Sequence, residues 1–157
     1  MSGIFWIAFL ILATCVVMWS YFTAQRLNSL HIRTDAALAQ LQAALDRRAA
    51  VVAALQPKMA TVAARAEGTS LKPGQLEKRM GVERELNAQL QRERSKAPSG
   101  LSPLLVEADT RVKLALRFYN EAVADTRALR LRPAVRALRL GGTAPLPEYC
   151  DYPFMVV

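Results

Sequence analysis

The chain has 157 residues, with 21 Lys and Arg against 13 Asp and Glu, a formal net charge of +8 and 52% hydrophobic residues. The positive balance favours an anionic neighbour, yet bases alternate with acids along most of the chain and no DNA- or RNA-binding fingerprint appears, so no nucleic-acid partner is expected. Cys15 and Cys150 fall in distant parts of the chain and His31 has no Cys or second His nearby, so neither a disulfide, a metal site nor a cofactor is expected.

Residues 3–22, GIFWIAFLILATCVVMWSYF, contain no charged side chain. At about 1.5 Å of rise per residue, a helix of that length spans about 30 Å, the hydrocarbon thickness of a bilayer. Phe5, Trp6, Phe9, Leu10, Leu12, Val16, Val17, Met18 and Trp19 cover its whole circumference, whereas a core helix normally turns one face to water. A cleaved signal peptide fits less well, because no basic side chain precedes the run and no small-x-small pattern sits just past Phe22. A lipoprotein modified at Cys15 also fits less well: Thr14 is a poor residue before such a cysteine, and the apolar run continues beyond it. The reading is a single-pass transmembrane anchor over residues 1–23. Arg26 and Arg33 follow it closely, which predicts an outside N-terminus and a cytoplasmic C-terminal domain at the cell membrane. About 135 residues remain, enough for one domain with one modest core.

The first of these form one long helix over about 24–67. Leu27, Leu38, Leu41, Leu45, Val52, Leu55, Met59 and Val62 recur on a seven-residue repeat in steps of three and four. His31 and Thr34 occupy its polar start and Arg48 interrupts it. Such a seam suits antiparallel helix packing or a short coiled coil, closed within the chain or with another chain. Gln40, Gln42, Asp46, Arg47 and Arg48 read as the solvated flank. Pro57 should kink or break the helix a turn before it, and Gly68 onward ends it.

A second helix over 75–95 has a narrow stripe, Leu76, Met80, Leu86 and Leu90, with Glu77, Arg79, Glu83 and Arg84 among dense charges on its other faces. It is expected to be the most exposed and mobile member. Ser102 as N-cap and Pro103 in the first turn open a third helix over 102–131, with Leu105, Val112, Leu116, Tyr119 and Val123 on one face. Pro133 resets the chain before a short helix over 134–140, which completes a bundle domain over 24–142. The tail, 143–157, is rich in proline and aromatic residues; it is expected to be irregular and to lie along the bundle or a partner. No strand pattern appears. The fold class is all-α: one N-terminal transmembrane helix leading into a long antiparallel helical bundle or hairpin with an irregular C-terminal tail.

No nucleophile has a His partner, no glycine-rich phosphate loop is present and no paired carboxylates sit in an apolar setting. The chain therefore reads as no enzyme, with no small-molecule substrate. One charged stretch stands out: Arg127, Arg130, Arg132, Arg136 and Arg139, with no acid between Asp125 and Glu148. It reads either as a basic amphipathic segment for anionic lipid or an acidic partner, or as a solvated cationic helix end.

Two further stretches carry a resemblance. Arg33-Thr34-Asp35-Ala36-Ala37 is followed by Leu45-Asp46-Arg47-Arg48, and Arg117-Phe118-Tyr119-Asn120-Glu121-Ala122-Val123 by Pro133 and Pro147-Glu148-Tyr149. In this order, behind an N-terminal anchor, they resemble the LemA family of bacterial membrane proteins over about half the chain, at both ends of the part beyond the anchor; the middle departs from it. The resemblance implies an antiparallel bundle on one anchor and no settled biochemical activity. Asp35, Arg48, Tyr119 and Asn120 match the family pattern, which implies packing and helix–helix hydrogen bonding for them alongside Leu38, Leu41, Leu45, Val52 and Leu55.

The expected function is that of a non-enzymatic accessory or scaffold subunit docked on a larger bacterial membrane complex, respiratory or transport, with the bilayer and other membrane-protein subunits as partners. Ala36, Ala37, Ala43 and Ala44 would allow close helix approach. The alternative is a membrane-surface or signalling module that binds anionic lipid through the arginine segment.

Overall fold

The computed structural model describes residues 2–96, 102–142 and 145–152, and every element among them is helical. Helix α1, Ser2–Leu55, is one unbroken helix of 54 residues. Its apolar first part is uncovered by any other described residue, and this helix is long and apolar enough to cross a membrane. No glycine or proline separates this arm from the part that follows, so one backbone ladder joins the two.

The helix expected over 24–67 is divided. Proline lacks the N–H and crowds the preceding turn, so α1 stops at Leu55 and Gln56 leaves helical geometry at φ −132° and ψ 81°. A 3₁₀ turn, Pro57–Met59, reverses the chain, and α2, Ala60–Glu67, packs back along α1. Leu55, assigned to the seam by spacing, is 38% exposed at the end of α1; the break removes the next turn that would have covered it.

Helix α3 is Leu76–Lys96 and α4 is Pro103–Arg130, followed by the short α5, Pro133–Ala137. The α1–α4 pair is antiparallel and forms the largest helix contact. Arg33 lies 3.2 Å from Asp125 and the Thr34 hydroxyl 3.0 Å from that of Thr126, while further along α1 Arg47 meets Glu107 and Arg48 meets Asp109. The end of α4 and all of α5 therefore come back to the end of the bundle from which the apolar arm departs.

The core is in three parts. Leu38, Leu41, Leu45, Leu76, Met80, Val112, Leu116, Tyr119 and Val123 form the cluster nearer the arm. Val52, Met59, Val62, Ala66, Leu86, Leu90 and Leu105 form the far cluster. Leu27, Leu129 and Val135 close the arm end. The seven-residue spacing of α1 thus packs against α4, α3 and α2 of the same chain.

Candidate functional site

Between the two larger apolar clusters lies a layer of charge. Arg48 is 2% exposed, and Arg79 and Glu83 are 0% exposed. The Arg48 Nε donates to Asp109 Oδ1 at 2.5 Å and its Nη2 to Asn87 Oδ1 at 2.7 Å, while Nη1 stands 3.5 Å from Glu83 Oε2. Arg79 Nε donates to Glu83 Oε1 at 3.0 Å, and its Nη2 faces Asp46 Oδ1 at 2.9 Å. The Arg79 Nη1 also donates to the carbonyls of Ala66, in the last turn of α2, and Thr69, just past it. The flank assignment of Asp46, Arg48, Arg79 and Glu83 is corrected here. Asp46 is half-buried and the other three are inside, each held by an opposite charge, the condition under which charged groups leave water. The same layer gives α3 a buried face that mixes Met80, Leu86 and Leu90 with Arg79, Glu83 and Asn87.

Burial lowers the Arg48 pKa, but neighbouring Tyr152, Asp109 and Glu83 outweigh it and the net direction is upward. For Glu83, burial raises the pKa more than Arg79 and Arg48 lower it. Arg48 therefore stays charged, and Glu83 is moved toward its protonated form.

The tail completes this layer. It runs up the bundle from Pro145 to Tyr152, whose hydroxyl donates to Glu83 Oε2 at 3.2 Å and whose ring lies 6.0 Å from the Arg48 guanidinium carbon. Helix α4 grips its backbone with side chains. The Asn120 amide bonds both ways to Cys150, donating to its carbonyl at 3.0 Å and accepting from its N–H at 2.9 Å. The Tyr119 hydroxyl donates to the Glu148 carbonyl, Arg127 to that of Pro147 and Arg130 to that of Pro145. A segment with two prolines cannot form a backbone ladder of its own, so side chains supply the partners. The rest of the expected tail region, 143–144 and 153–157, lies outside the described residues.

This grip divides the arginine segment. Arg127 and Arg130, both half-buried, hold the tail, and Arg127 also stacks 5.5 Å from the Tyr149 ring centre. Arg132, Arg136 and Arg139 are exposed around α5. The anchor residues Phe5, Trp6, Phe9, Leu10, Leu12, Val16, Val17, Met18 and Trp19 are all exposed on the arm. Of the packing residues, Leu38, Leu41, Leu45, Arg48, Val52 and Tyr119 are buried, Asn120 is half-buried and Asp35 is exposed.

Two hollows remain. One, of about 330 Å³, lies in the outer groove between α1 and α4, where Ala43 and Ala44 face Leu114, Ala115 and Phe118 between the rims of Arg47 and Arg111. Leu114 is 52% and Phe118 47% exposed there. The other, of about 340 Å³, lies on the opposite side of α1, roofed by the tail. No protein-family model, curated protein or solved structure matches the chain.

Proposed function

We propose that this chain is a non-enzymatic, single-pass membrane protein of the LemA type, an accessory or scaffold subunit that holds its bundle against a larger bacterial membrane assembly, N-terminus outside and bundle in the cytoplasm. The outer α1–α4 groove carries the reading. One side of the hairpin is filled by α2, α3 and the tail; the other leaves alanines beside an exposed leucine and phenylalanine. Small residues let a neighbouring helix approach closely, and the apolar ridge beside them gives it area to bury. Photo-crosslinking residues placed at Ala43 and Phe118 in native membranes should capture an integral membrane protein, while the same residue at Arg92 on α3 should not. Equal capture from all three positions, or a clean monomer in mild detergent, rejects the proposal.

A second reading has its own support: the hairpin returns Arg132, Arg136 and Arg139 to the arm end, where Val135 packs on Leu27. Leu27 is five residues past Phe22, about 8 Å along the helix, so these arginines lie within a Debye length of a bilayer that ends at Phe22. In nanodiscs, phosphatidylserine should slow amide exchange over residues 131–142 relative to neutral lipid. Replacing the three arginines by Gln should abolish that protection; protection that ignores lipid charge rejects this reading.

A further inference from the structure

The cavity under the tail stands out by its charge. Among the described residues, ion pairs engage nine of the chain's 13 acids, as expected where bases are in excess. Asp35, Glu67, Glu148 and Asp151 are left without one. Two of these four, Asp35 and Glu148, line the same cavity, with His31 beside them and no Lys or Arg in the wall. A protein of net charge +8 thus has a hollow lined by two carboxylates and by no Lys or Arg among the described residues.

The hollow is built, not incidental. His31 and Asp35 stand one turn apart on α1 and so share a face. Glu148 belongs to a tail segment whose position is fixed on both sides: the Tyr119 hydroxyl holds its own carbonyl at 2.8 Å and Arg127 holds that of Pro147 at 3.0 Å. Leu38, Leu76 and the Tyr119 ring supply apolar wall, and the turn at Pro73 and Gly74 closes one end. At about 340 Å³ the space falls in the lower range of small-ligand pockets, about 300–1,000 Å³. Burial pushes the Tyr119 pKa up to about 12, with Cys150, Glu148 and Asp35 adding to it, so the hydroxyl remains a neutral donor beside the two carboxylates. A metal ion suits the wall poorly, since no three His, Cys, Asp or Glu side chains among the described residues group at ligating spacing.

We propose that this cavity binds a small organic ammonium ion with an apolar body, its charge between Asp35 and Glu148 and its body against Leu38, Leu76 and Tyr119. The two carboxylates meet the ammonium group, His31 adds hydrogen-bonding capacity, and the tail is the wall that completes the site. Binding and tail docking therefore support each other.

The test uses the full chain in neutral-lipid nanodiscs and 4-fluorobenzylammonium as probe, followed by ¹⁹F NMR line broadening. Saturable binding is expected, with none for 4-fluorobenzoate or 4-fluorobenzyl alcohol. The pair Asp35→Asn and Glu148→Gln should weaken it about tenfold or more, while Glu67→Gln, at an exposed acid elsewhere, should leave it unchanged. Both acids are exposed at the rim, and an unchanged melting temperature will show that the double variant is folded. No saturable binding, equal binding of the benzoate, or equal binding by the folded double variant would overturn the proposal.

Discussion

Arg48 holds a position between Leu45 and Val52 where the seven-residue spacing calls for an aliphatic side chain. Its guanidinium is instead surrounded by Asp109, Asn87, Glu83 and Tyr152. Deleting one member of a buried charge set strands the others, at a typical cost of about 3–5 kcal/mol. Arg48→Ala should lose that much stability in denaturant unfolding, while Arg47→Ala, one residue earlier and exposed, should lose less than about 0.5 kcal/mol. Similar losses for the two would mean that the layer contributes little. The break in the seam at Arg48 was legible in the sequence; its partners were not. Arg79 and Glu83 stand at the i,i+4 spacing of any surface pair, and only the approach of α1 decides that they face inward.

The tail is the element whose hold on the bundle responds most directly to pH. Burial raises the Cys150 thiol from its ordinary 9.0 to about 11 and the Tyr119 hydroxyl from 10.0 to about 12. Both groups are neutral when docked. Once the pH passes their ordinary values the unfolded chain releases protons that the folded chain keeps, and stability is lost as the pH climbs through the folded values. The melting temperature should therefore fall steadily between about pH 9 and 12. Cys150→Ser should move the onset of that fall upward by removing the thiol; an onset that ignores the substitution would remove Cys150 from the account. Helix positions were largely legible, since α3 and α4 begin and end within a residue of the spans read from spacing and capping. The tail's aromatic content marked it as docked on something. Its hydrogen bonds were not legible, because they join side chains of α4 to main-chain carbonyls that no residue pattern reports.

At the scale of the whole molecule, α1 is both arm and first wall of the bundle. Among the described residues nothing covers the apolar surface of residues 3–22, and this stretch is long and apolar enough to cross a membrane. The full chain should stay with vesicles through alkaline carbonate even where the tail has undocked. Replacing Leu10 and Val17 by Asp, each worth about 2.5–3.5 kcal/mol at a helix centre, should release it. Retention of that variant would show that the arm is not what holds the chain. All-helical architecture and the apolar arm were plain from composition and periodicity. The two hollows were not, since both form between segments far apart in the chain, such as α1 and the tail.

The charged layer also bears on alignment. Aliphatic seams repeat every seven residues, so α4 could slide one repeat along α1 and still bury leucine against leucine. Sliding by seven would bring Leu116 or Ser102 opposite Arg48 in place of Asp109, and neither carries the negative charge that a buried guanidinium needs. The hairpin therefore has a single tolerated setting, and with it a fixed distance from the foot of α1 to every feature above it. Whatever rests on this protein meets a ruler with one graduation.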